Sequence, residues 1–156
     1  MYCRYWLGRL LTQFQAAGSG RLGVVKLLLT KARVQPDTTD IHGRTPLHWA
    51  INWEYDNDDG IFQGSFNHRN KNTSDQEGTL TDTLELLLAH GANPDSRDDN
   101  QRTPITLAIE RGRTKVVKLL LDTGKIDLTC KDNEGRTPLM WAQIMRDEES
   151  AKLLQS

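Results

Sequence analysis

At 156 residues the chain has the size of one domain, long enough to bury about two thirds of its unfolded surface. Its formal net charge of −1 gives no electrostatic reason to expect nucleic acid or an anionic membrane as a partner, and no apolar run approaches the length of a membrane span. Hydrophobic residues make up 37% and aromatics 6%, which points to a core of small aliphatics, and two cysteines (Cys3 and Cys130) are too few for a disulfide scaffold, so a reducing compartment is expected.

Residues 1–36 carry Arg4, Arg9, Arg21, Lys26, Lys31 and Arg33 and no acid, a local charge of +6 that leaves −7 for the remainder. The opening Met1–Gly18 lacks the continuous apolar block of a secretory signal. It is basic and amphipathic, the composition of a mitochondrial presequence and equally of a terminal helix, and we read it as the latter. Trp6, Leu7, Leu10, Leu11 and Phe14 lie at helical spacing. "VVKLLL" at Val24–Leu29 predicts a second helix.

"GRTPLHWA" at Gly43–Ala50 returns as "QRTPITLA" at Gln101–Ala108 and as "GRTPLMWA" at Gly135–Ala142. Thr103 to Thr137 is 34 residues, but Thr45 to Thr103 is 58. The second block resolves the difference, since "TLELLL" at Thr83–Leu88 and "VVKLLL" at Val116–Leu121 repeat Val24–Leu29. An excess of 25 residues lies between Thr45 and Leu88, so the period is 33 or 34 with one insertion, Glu54–Gly78. That insertion has six acids and two bases and few aliphatics apart from Ile61, Phe62 and Phe66, a composition that cannot offset the entropy of ordering.

The third copy displays the physics of one unit. Thr103 is an N-cap candidate, and Pro104 follows at the first helical position, where its missing N–H costs nothing. Ile105, Leu107, Ala108 and Ile109 make a short apolar helix that Gly112 ends. Thr114 opens a second helix filled by Val116, Val117, Leu119, Leu120 and Leu121, and Gly124 closes it. Two helices this short cannot bury their apolar faces alone; stacked copies can, which is why the octapeptide recurs.

The pattern D-x-x-G-R-T-P-L-H-x-A, followed by V-V-K-L-L-L and H-G-A-N, resembles the ankyrin repeat over nearly the whole chain outside the insertion. The resemblance implies an all-α solenoid of stacked helix-turn-helix units joined by hairpin-like loops. It forms a single domain, residues 1–156, with units at about 4–36, 37–94, 95–128 and 129–156. In the first unit Leu11, Thr12, Gln13 and Phe14 stand for Thr-Pro-Leu-His, and Ala32 stands where Gly91 and Gly124 close other helices. Gln101 replaces the loop glycine seen at Gly43 and Gly135, and Thr106 and Met140 replace the histidine kept at His48.

Chemistry finds little support. No Gly-rich phosphate loop is present. Asp56–Gly60 fails as a calcium loop because its glycine falls at position five and position twelve is Asn67. His42, His48, His68 and His90 form no metal spacing, and Cys130 is read as a small packed thiol rather than a nucleophile. No enzyme, metal or cofactor is expected. His48 is read as structural, and Trp49 and Trp141 as core.

By resemblance, the function is protein–protein interaction through a concave face of loop tips and first helices. Carried over by position, this face holds Ile41, His42 and Arg44; Asn52 and Trp53; Asp99, Asn100 and Arg102; Glu110 and Arg111; and Asn133, Glu134 and Arg136. The three arginines are equally compatible with supporting the repeat through neighbouring acids, and Trp53 with pinning the insertion. The partner is a protein of unidentified kind, and the location is cytoplasmic or nuclear. The chain is expected as a monomer, with its apolar ends the place for any association. The alternative is a regulatory or capping segment of a longer multidomain protein, with no ligand of its own.

Overall fold

The structure, a computed structural model, describes residues 13–31, 34–52 and 73–155. Among the described residues every regular element is a helix. α1 covers 13–18. It is followed by α2 (Leu22–Thr30), α3 (Pro46–Asn52), α4 (Thr73–Ala89), α5 (Pro104–Glu110), α6 (Thr114–Asp122), α7 (Pro138–Met145) and α8 (Glu148–Leu153). α3, α5 and α7 pack side by side in one row, and α2, α4, α6 and α8 form a second row behind them. α3, α5 and α7 also pack on α4, α6 and α8 respectively, so these helices form a two-layer stack.

The Thr-Pro starts behave as the residue types require. Thr137 accepts the Met140 N–H at 3.3 Å, and Pro138 occupies the first turn of α7. In α5, Thr106 Oγ1 accepts the Thr103 N–H at 2.9 Å, closing the same turn by a different side chain. The core runs along the interior of both rows: Leu47, Ile51, Leu84, Leu87, Ile105, Leu107, Ile109, Val117 and Leu120 are fully enclosed. These are the aliphatic positions of the repeat, and stacking removes their area from water at about 25 cal/mol per Å².

One boundary differs from the expectation. α4 starts at Thr73, so the last six residues of the expected insertion are helix. Leu80, Leu84 and Leu87 share one face at helical spacing and all are buried, which requires the helix to begin well before Thr83. No proline in 73–80 stops it from propagating backwards. Ile61, Phe62, Phe66, His68, Trp53, Cys3 and Ala32 lie outside the described residues.

Gln101 has φ 59°, the left-handed conformation that Gly43 (φ 71°) and Gly135 (φ 77°) adopt at the equivalent places. The loop geometry therefore survives the glycine's replacement, at the cost of placing a Cβ where left-handed backbone disfavours it. Gln101→Gly is expected to stabilise the protein by about 0.5–1 kcal/mol, after subtracting the extra freedom glycine gains when unfolded. Urea unfolding followed by circular dichroism measures this; a destabilised variant would mean that the Gln101 side chain contributes more than its strain removes.

Candidate functional site

The loops between helix pairs are built on one repeated device. Asp40, Asp98 and Asp132 each precede an arginine by four residues. In every copy one carboxylate oxygen accepts two backbone N–H groups, two and four residues ahead. The donors are His42 and Arg44 (2.8 and 2.9 Å), Asn100 and Arg102 (2.9 and 2.8 Å), and Glu134 and Arg136 (both 2.9 Å). The other oxygen accepts the arginine Nε, at 2.8, 3.1 and 2.9 Å. The aspartate N–H returns to the arginine carbonyl at 3.0 Å each time, closing a tight hairpin.

Two of these clasps carry an indole. Trp49 Nε1 donates to Asp40 at 2.8 Å and Trp141 Nε1 to Asp132 at 2.9 Å. The Arg44 and Arg136 guanidinium groups lie 4.7 and 4.1 Å from the respective ring centroids. Trp141 is buried as expected, whereas Trp49 is half-buried, its ring 5.8 Å from Phe14. In the middle copy Leu107 stands at the tryptophan position, and Arg102 reaches Glu110 at 3.6 Å instead. Burial opposes ionisation of Asp40 and Asp132. The donated bonds outweigh it and hold both carboxyls below the ordinary carboxylate range.

Consecutive tips are tied through backbone. Asp99 N–H donates to the His42 carbonyl at 3.0 Å, and Asn133 N–H to the Asn100 carbonyl at 3.1 Å. Asn133 Nδ2 adds a bond to the Asp99 carbonyl at 3.1 Å. The tip residues Ile41, His42, Asp99, Asn100, Asn133 and Glu134 are all exposed, Ile41 to 90%. Beside the last two tips an open cavity of about 310 Å³ lies between Arg102, Arg136 and Trp141.

The other sequence candidates fall differently. Arg44, Arg102 and Arg136 are half-buried in the clasps, which is the supporting arrangement the sequence left open. Asn52 is buried, and its Oδ1 accepts both Arg111 Nε (3.0 Å) and a terminal nitrogen of Arg111 (2.6 Å). Asn52 thus joins α3 to the end of α5 and does not face solvent, because the next helix pair covers it. Glu110 and Arg111 are half-buried, and Trp53 lies outside the described residues. The aspartates were missed as the organising residues; the signal was Asp at four residues before Arg in all three copies.

His48 is fully buried and bridges two helix pairs. Its Nδ1 accepts the Thr45 N–H at 3.1 Å, so the proton sits on Nε2, which donates to the Arg102 carbonyl at 3.2 Å. Burial pushes its pKa down. Cys130 is buried, and burial pushes its thiol up, away from the thiolate a nucleophile needs. Among the described residues no cluster of three or more His, Cys, Asp or Glu is placed to hold a metal ion, and no helix is long and apolar enough to cross a membrane.

Comparison with known proteins meets this geometry. The family described as "Ankyrin repeats (3 copies)" matches residues 74–156, and that described as "Ankyrin repeats (many copies)" matches residues 13–55. The chain is 27% identical over 112 residues to Rabankyrin-5 of Mus musculus, covering 72% of this chain and 7% of that protein. It is 34% identical over 109 residues to the ankyrin repeat protein YahD of Escherichia coli, covering 70% of this chain and 44% of that protein. It is 27% identical over 143 residues to the palmitoyltransferase AKR1 of Lachancea kluyveri, covering 89% of this chain and 16% of that protein. The chain thus spans a small fraction of the Rabankyrin-5 length and less than half of YahD.

Proposed function

The chain belongs to the ankyrin-repeat family, and from that premise we propose that it is a non-catalytic scaffold that binds a protein through the strip of loop tips. Ankyrin repeats generally mediate protein–protein interaction and are typically non-catalytic. The observation that carries the reading is the division of labour at each loop. Aspartate, arginine and backbone bonds hold the hairpin, while Ile41, His42, Asp99, Asn100, Asn133 and Glu134 project from it into solvent. No packing requirement selects an aliphatic, an imidazole, two carboxylates and two amides at those places. A rigid frame presenting a mixed row of side chains limits the entropy lost on binding. A cytoplasmic or nuclear location is part of the same proposal, as is the carry-over of the four unit boundaries.

The test is proximity labelling of the intact chain in cells, repeated with two variants. Ile41→Asp combined with His42→Ala should remove the main labelled partner and leave the unfolding free energy within the surface range, about ±0.5 kcal/mol. Lys118→Glu, on the exposed back of α6, should leave labelling unchanged. If the back-face variant loses the partner and the tip variant keeps it, the strip is not the recognition surface.

A further inference from the structure

The cavity beside the last two tips carries a charge imbalance. The guanidinium groups of Arg102 and Arg136 line it, and each stands between two carboxylates. Arg136 pairs with Asp132 at 2.9 Å and with Glu134 at 2.6 Å. Arg102 pairs with Asp98 at 2.9 Å and lies 3.6 Å from Glu110. Four acids against two arginines leave negative charge in excess. Glu110 bears it directly, since its Oε2 is enclosed and has no hydrogen-bond partner.

The acceptors left over at the cavity are single oxygens on separate side chains. Glu134 spends one carboxylate oxygen on Arg136 and keeps the other, on a side chain that is 69% exposed. Asn133 Nδ2 donates to the Asp99 carbonyl, which leaves Oδ1 without a partner among the described residues. Asn100 takes part in the loop through its backbone alone, and its side-chain amide makes no hydrogen bond among the described residues. An ammonium, with three rotatable donors and no acceptor, matches scattered single oxygens; the planar fork of a guanidinium needs two acceptors in register. A carboxylate in the same space would meet arginines that already have two acids apiece, and the surplus charge would repel it.

We propose that this cavity seats a lysine side chain of the protein partner, its ammonium shared among Glu134, Asn133 and Asn100. The inference rests on the reading of the tip strip as the recognition surface and adds the chemistry of one contact. The seat selects as well as binds, because a partner with an acid at that place meets like charge.

Titration of the isotope-labelled full chain with N-acetyl-lysine methylamide, followed by amide NMR, tests the seat. Saturable shifts should appear at the side-chain amides of Asn100 and Asn133 and at the Trp141 indole N–H. The matched acetyl-glutamate probe should cause none. Glu134→Gln should weaken the lysine probe about fivefold, and Asn100→Asp, which adds an acid at an exposed site, should tighten it by a similar factor. Backbone amide shifts check that both variants keep the fold. Shifts confined to other residues, an equal response to the glutamate probe, or unchanged affinity in both variants overturns the lysine seat. None of these results touches the strip reading, which partner labelling of the tip and back-face variants decides.

Discussion

Asp98→Ala should cost about 3 kcal/mol of unfolding free energy, more than any other loop substitution. The Asp98 side chain is 1% exposed and accepts the Asn100 N–H, the Arg102 N–H and two guanidinium donors of Arg102. Its removal leaves two hairpin amides and a half-buried cation without their acceptor, a penalty larger than the net worth of the bonds themselves. Asp98 also sits in the middle loop, which is bonded to the tips on both sides, so its collapse frees two junctions. Asp98→Asn keeps an acceptor for the amides and should cost roughly half as much. Guanidinium unfolding of both variants measures the effect. A loss below about 1 kcal/mol for the alanine variant would mean that water replaces the carboxylate and that the clasp is ornamental.

His48→Ala should cost a similar amount, about 3 kcal/mol, because it opens a cavity and leaves the Thr45 N–H and the Arg102 carbonyl unpaired. Protonation attacks the same joint. A second ring proton on Nδ1 displaces the bond that this atom accepts from the Thr45 N–H, and burial already lowers the pKa. The unfolded chain, with its histidine near 6.5, then binds more protons than the folded one, so stability is full above that value and falls as pH drops towards the folded pKa. Asp40 and Asp132, held below the carboxylate range, contribute stability that disappears only below about pH 4, so the two windows separate. His48→Thr is the discriminating variant. Threonine stands at this place in the third copy, where Thr106 closes its turn without a ring. It should cost less than alanine and flatten the dependence between pH 7 and 5. A persistent slope in that variant would assign the titration to another histidine.

The repeat, its period and the helical class were legible because stacking forces identical residues into identical places, and Thr-Pro, the leucine runs and the glycines mark each element. The left-handed loop residue was only partly legible. Gln101 broke the glycine pattern, but the Asp98 clasp and the bond between tips hold the backbone there regardless of side chain. The start of α4 was misread because composition describes solvation, while Leu80 reveals the helix only when paired with Leu84 and Leu87. At the candidate surface, the exposed tips follow from the loop register. Asn52 was misplaced because its burial comes from Arg111, 59 residues away, and spacing within one copy carries no trace of that contact.

The bonds between tips, His42 to Asp99 and Asn100 to Asn133, run through main-chain atoms. Any amino acid other than proline supplies the same N–H and carbonyl. Selection can therefore rewrite Ile41, His42 or Asp99 for a new target without first repairing the architecture, and drift at these sites should be nearly invisible to folding. Asp98 and His48 have no such latitude. A saturation library sorted once for abundance and once for binding should split the same loop into two classes of neighbour, one silent in the first sort and one silent in neither.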